Sequence, residues 1–145
     1  MHLSLAERYY MNAVDTNILI YVNDPRDLIK QEIASLLVSN LIDGVLIWQV
    51  ACEYLAASRK LESLGYNREQ AYQYIRDLQQ VWYTALPSWA MIDRAENLIK
   101  HFNLSHWDSM IVSACLEANV KILYTEDFGY TNIDGLKIIN PFKNS

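Results

Sequence analysis

The chain reads as a single α/β domain, with a central, mostly parallel sheet of four or five strands flanked by helices on both faces. Three observations predict this. Short apolar runs alternate with longer segments whose apolar residues recur at helical spacing. Gly, Pro and Asn punctuate the joints between them. The run "VLIW" is continuous rather than alternating in polarity, as in a parallel strand covered on both faces.

The elements follow in order. In "NAVDTNILIYV" the apolar run is broken at Asp15-Thr16-Asn17, so a strand ends near Asp15 and a helix starts after it. Asn23-Asp24-Pro25 breaks the chain. Ile29, Ile33, Leu36, Leu37 and Leu41 then mark a helix that Gly44 ends. "VLIW", residues 45 to 48, reads as a buried strand, and the helix after it carries Glu53. Gly65 and Asn67 mark a break, followed by a stripe of Ala71, Tyr74, Ile75, Leu78 and Trp82. "YTALP" holds a brief strand before Pro87. Trp89, Ile92, Ala95, Leu98, Ile99 and Phe102 mark a helix closed by Asn103. Ser105 to Ala118 is a nearly all-apolar buried helix with Asn119 as its C-cap. "VKILY" (120 to 124) and "LKII" (136 to 139) are the last strands.

A length of 145 residues suits one domain. Residues 1–10 read as a short N-terminal extension to a domain spanning 11–145, and Met11 is an alternative start. At 52% apolar the chain can bury a sizeable core. Its net charge of −5 and pI near 5.1 exclude nucleic-acid binding by overall charge. Cys52 and Cys115 lie in apolar helical surroundings without metal-ligand spacing. Both read as buried free thiols, which fits a cytoplasmic location. No apolar run approaches the ~18 residues of a membrane span, and the N-terminus has no signal-peptide pattern.

Four carboxylates stand out. Ligand sites of open parallel sheets lie beyond the carboxyl ends of the strands. Asp15 ends the first strand, Glu53 is about a turn past "VLIW", and Asp127 follows "VKILY". Asp108 opens the helix leading into that strand. All four can therefore face one edge. Each also has a plainer reading. Asp15 could cap a helix, Ser105-x-x-Asp108 resembles a capping box, Asp127 could serve a turn, and Glu53 could be solvated. Together those readings weaken, because Asp108 and Glu53 adjoin apolar runs where unpaired charge is costly. Two carboxylates ~4 Å apart repel by about 1 kcal/mol in water and about 4 kcal/mol at an effective dielectric of 20. A set of three or four needs a cation. Oxygen ligands without His or Cys suit Mg²⁺ or Mn²⁺, and such a site favours phosphoryl chemistry.

The ordered set of "VDTNILIY", Glu53 in "QVACEYLAA", "LSHWDSMIVSACLEANVKILYTEDF" and the tail "IDGLKIINPF" resembles a PIN-domain protein, more narrowly a VapC-type toxin ribonuclease. The match runs over nearly the whole chain from Met11. The resemblance implies a Mg²⁺- or Mn²⁺-dependent endoribonuclease with Asp15, Glu53, Asp108 and Asp127 as its acidic metal site. Thr16, Asn17 and Thr125 would be supporting polar groups. Glu126 could replace or support Asp127, and Asp127 is the expected choice. The resemblance further implies a homodimer and a small VapB-like antitoxin that inhibits through the active-site groove. The N-terminal extension departs from the pattern.

Arg59 and Lys60 read first as a solvated face, with contact to RNA phosphates as the alternative. Trp48, Trp82, Trp89 and Trp107 read as core or interface. His101 and His106 share no helix face well and are not expected to bind metal. A dehalogenase-like phosphatase needs a second acid two residues after Asp15, where Asn17 stands. A receiver domain needs paired acids after the first strand and a Lys after a late one, and neither is present. An RNA-processing PIN nuclease outside any toxin system, or a non-catalytic binding module, are the remaining alternatives.

Overall fold

β1 (Asn12–Val14), β2 (Gly44–Ile47) and β4 (Ile122–Tyr124) form the centre of the sheet in the computed structural model, which describes residues 12–143. The extension at 1–10 and the alternative start at Met11 lie outside the described residues. β3 (Tyr83–Ala85), β5 (Asn132–Ile133) and β6 (Leu136–Ile139) complete a six-stranded sheet in the order β3-β2-β1-β4-β6-β5. All neighbours are parallel except β5 and β6. The sheet thus has more strands than the four or five expected. The addition is β5, a two-residue strand hairpinned to β6 through Asp134-Gly135. Both turn residues have positive φ (50° and 91°), the backbone of a type I′ turn.

The helices are α1 (Thr16–Val22), α2 (Leu28–Asn40), α3 (Trp48–Ala57), α4 (Arg68–Val81), α5 (Trp89–His101) and α6 (His106–Glu117). A 3-10 helix, Ser58–Leu64, continues from α3. The chain steps outward from β1 to β2 to β3, then crosses back to place β4 on the other side of β1. Right-handed crossovers in opposite directions put helices on opposite faces. The packing agrees: α1 lies on α2 and α3, α3 on α4, and α5 on α6. Among the described residues no helix is long and apolar enough to cross a membrane.

Local chemistry sets the joints. Gly65 (φ 96°) ends the 3-10 helix in a left-handed conformation, and Asn67 with Gln70 forms a capping box that starts α4. The Val120 N–H donates to Cys115 O and the Asn119 N–H to Leu116 O, a Schellman close to α6. The C-cap is therefore Ala118, and Asn119 is the left-handed residue after it (φ 59°). Gly44 does not end α2, which stops at Asn40; it begins β2.

Trp48 is the first residue of α3, not the last of a strand, and is 49% exposed. Trp89 and Trp107 are also exposed, whereas Trp82 is buried. α3 buries Val50, Ala51 and Tyr54, and this turns Cys52 to solvent, contrary to its expected burial. Cys115 is fully buried in α6, and burial raises its thiol pKa above the ordinary value. In the folded protein a thiol reagent is expected to label Cys52 rapidly and Cys115 only after denaturation. Rapid labelling of both would contradict this packing.

Candidate active site

The crossover reversal at β1 opens a crevice at the carboxyl ends of β1 and β4, where open α/β sheets bind ligands. A cleft of about 420 Å³ lies there, and Asp15, Glu53, Asp108 and Asp127 all line it. Each arrives by a different route. Asp15 bridges β1 and α1, its N–H donating to Tyr124 O of β4 (2.9 Å). Glu53 lies on α3, after β2. Asp108 sits in the first turn of α6, and Asp127 follows β4.

The cap readings and the site reading coexist in one residue. Asp15 is the N-cap of α1: its Oδ1 accepts from the Thr16 N–H (2.7 Å) and its Oδ2 from the Thr125 hydroxyl (2.8 Å). Ser105 caps α6 by accepting from the Asp108 N–H (3.1 Å), and the Asp108 carboxylate lines the cleft.

Asp15 is only 8% exposed. Burial pushes its pKa from 3.8 up to about 6. The bonds from Thr125 and Thr16 oppose this, and the charges of Glu53 and Asp108 add to it. Thr16 donates to Glu53 Oε1 (3.5 Å), and Asn17 Nδ2 lies 3.4 Å from both Thr125 Oγ1 and Asp127 Oδ2. The structure thus brings Thr16, Asn17 and Thr125 together with the acids.

Glu126 is drawn into a different network. Lys30 forms an ion pair with it, and the Tyr21 hydroxyl donates to its Oε1 (2.7 Å). Burial raises the Glu126 pKa, but these two partners outweigh that and hold it below the usual range. Lys30 also lies 5.0 Å from the Tyr21 ring centre and 5.5 Å from that of Phe142. Asn140 Nδ2 donates to the Glu126 carbonyl (3.1 Å). The "NPF" tail therefore anchors the segment that presents Asp127.

Arg59 and Lys60 are not on α3 with Glu53 but on the 3-10 helix that follows it. Arg59 pairs with Glu62 (2.8 Å) and faces a separate hollow beside Cys52 and Tyr72, whereas Lys60 lines the acidic cleft. Residues not anticipated from sequence are Gln49, whose amide donates to Glu53 Oε1 and Trp107 O (3.2 Å each), and Arg26, which also lines the cleft. Gln49 carried the one available signal, lying one helical turn before Glu53.

Among the described residues no three His, Cys, Asp or Glu side chains close into a ready-made metal cage. The acids line a cleft rather than surround a point. That arrangement fits a hydrated Mg²⁺ or Mn²⁺, which binds one or two carboxylates directly and others through its waters. Asn17 Oδ1 is buried without a hydrogen-bond partner, a cost that a water of such an ion would relieve.

Residues 13–136 match the family model of the PIN domain, and the chain belongs to that family. No curated protein matches it by sequence. Several solved structures share the fold. A toxin–antitoxin complex from Klebsiella pneumoniae superposes with a TM-score of 0.69 at 18% identity, covering 92% of this chain and 99% of that one. VapBC2 from Rickettsia felis, bound to a DNA fragment from its promoter, gives 0.64 at 17% identity, covering 90% and 98%. VapC20 from Mycobacterium tuberculosis, a toxin that cleaves the sarcin–ricin loop, gives 0.64 at 16% identity, covering 81% and 91%.

Proposed function

We propose that this chain is a Mg²⁺- or Mn²⁺-dependent endoribonuclease and the toxin of a toxin–antitoxin pair. The observation that carries the reading is the convergence of four carboxylates from four segments on one cleft, with Asp15 feeling the charges of Glu53 and Asp108. Membership of the PIN family and the likeness to toxin structures support it. Asp15, Asp108 and Asp127, with Glu53, would hold the ion. A bound divalent cation supplies Lewis-acid chemistry, acidifying the attacking water and stabilising the departing oxygen of the phosphodiester. Thr125 and the Thr16 N–H fix the Asp15 carboxylate, and Gln49 and Thr16 fix Glu53. Asn17 links the first strand's end to Asp127. The partners that fit this reading are a small VapB-like antitoxin and a second copy of the chain. Ile92, Ile99 and Met110 line an apolar groove between α5 and α6 that suits self-association.

The test is cleavage of total cellular RNA by partner-free protein in Mn²⁺, beside Asp108→Asn. Discrete cuts that vanish with EDTA and in the variant are expected. Equal cutting by both proteins would refute the assignment. A finer test separates neighbouring acids. Asp127→Asn should raise the Mn²⁺ concentration needed for half-maximal cleavage by about tenfold. Glu126→Gln should leave it nearly unchanged, because Glu126 is held by Lys30 and Tyr21. The reverse order would transfer the metal role to Glu126.

A further inference from the structure

The cleft has a second, basic end. α1 and α3 leave the carboxyl ends of adjacent parallel strands and pack on one another. Each carries a candidate metal-binding acid, Asp15 as the N-cap of α1 and Glu53 in the middle of α3, and each is followed by a cation that lines the same cleft, Arg26 or Lys60. At 1.5 Å per residue, the seven-residue α1 separates the two ends by roughly 10 Å. The C-cap of α1 is tied to the middle of α3, as Asn23 Nδ2 donates to the hydroxyl of fully buried Tyr54 (2.9 Å).

Arg26 is held in place. Asp24, 6% exposed, receives its Nε (2.9 Å) and N–H (3.0 Å) on Oδ1 and its Nη2 (2.8 Å) on Oδ2. A guanidinium has five N–H donors, and this pairing uses two, so three stay available on a side chain that is 56% exposed. The Arg26 hydrogen bonds and charge, together with the charge of Lys60, hold the Asp24 carboxyl below its ordinary pKa. One carboxylate thus faces two cations, leaving net positive charge at this end. Lys30, by contrast, is committed to Glu126.

We propose that Arg26, oriented by Asp24, and Lys60 bind a backbone phosphate of the RNA strand a few nucleotides from the bond being cut. This rests on the nuclease reading and adds to it the placement of the substrate. On a chain of net charge −5, a polyanion must be retained by local positive charge, which these side chains supply beyond the proposed metal. A planar, preorganised Arg fork suits phosphate recognition.

The experiment measures binding of a labelled, mixed-sequence single-stranded oligoribonucleotide in Ca²⁺ across a salt series, for wild type, Arg26→Ala, Arg26→Lys and Lys60→Ala. Mn²⁺ affinity and melting temperature are measured on the same proteins. Arg26→Ala and Lys60→Ala are each expected to weaken RNA binding about five- to tenfold. Each should also flatten the slope of log K against log salt by about 0.7 and leave Mn²⁺ affinity unchanged. Lys60→Ala should leave melting unchanged too, whereas Arg26→Ala should lower it by leaving the buried Asp24 carboxylate unpaired. Arg26→Lys should recover the slope but not the full affinity, since the charge is kept and the fork is lost. Unchanged RNA affinity and slope in both Ala variants would overturn the proposal and leave the nuclease reading intact, with Arg26 then facing a protein partner. A wild type that neither binds nor cuts RNA would remove the nuclease reading itself, and this inference with it.

Discussion

Asp15→Asn is expected to abolish cleavage and, in the same molecule, to stabilise the metal-free protein at neutral pH. The loss of activity should be about 10³-fold or more, as removing a carboxylate proposed to hold the metal would withdraw several kcal/mol of transition-state stabilisation. The gain in stability follows from burial. Asp15 has a folded-state pKa of about 6 against 3.8 in the exposed chain, so the folded protein holds that proton more tightly than the unfolded one. Such a shift favours folding fully below pH 3.8, and the benefit disappears as pH rises through about 6. In EDTA, wild-type stability should therefore fall across that interval. A shift of about two units corresponds to about 3 kcal/mol at most. Asn at position 15 carries no charge to bury and can still cap Thr16. The variant should unfold at higher urea than wild type at pH 7 and show little dependence on pH across the interval. Mn²⁺ should then raise the melting temperature of wild type but not of the variant. A variant no more stable than wild type in EDTA at pH 7 would mean that Asp15 is not strained by its burial.

Gly44→Ala should destabilise the fold by about 1–3 kcal/mol or more, through overpacking rather than lost contact. A Cβ at Gly44 would stand 2.6 Å from Cδ1 and Nε1 of Trp82 and 2.7 Å from Cε2. The indole cannot swing away easily, because Trp82 is 8% exposed at the end of α4. Trp82→Leu alone should also destabilise, by leaving space. Combined, the two changes should cost less than their sum by at least about 0.5 kcal/mol, since each relieves the fault of the other. Strict additivity in a denaturant-unfolding cycle would disprove the clash.

The sequence made β1, β2 and β4 legible as apolar runs bounded by polar residues, and β6 as a run interrupted only by Lys137. The helices were legible from the spacing of Ala71, Leu78, Ala95 and Leu98, all buried. Boundaries failed where the chemistry left no mark. α3 begins without a side-chain cap at Ile47, so nothing separates Trp48 from the strand before it. β5 is too short for any period to register; its signal was Asp134-Gly135, the dipeptide of a tight hairpin. The four acids could be brought to one edge by reasoning from strand ends. The assignment of Glu126 to Lys30 and Tyr21 could not, because 96 and 105 residues separate it from those partners. Arg26 was hidden in what reads only as a helix breaker, since its partner Asp24 becomes buried only after folding.

The order in which the acids occur along the chain has a consequence for synthesis. Asp15 and Glu53 leave the ribosome early, but Asp108 and Asp127 emerge only when most of the domain has been made. β4, which pairs with β1 and brings Asp127 to Asp15, is also a late arrival. A nascent chain therefore carries half of the acidic set and the β1 edge, but not the strand that brings the other half to it. The cleft forms only as the chain nears completion. On the proposed reading, the unfinished chain would lack a complete acidic set until its last strands dock.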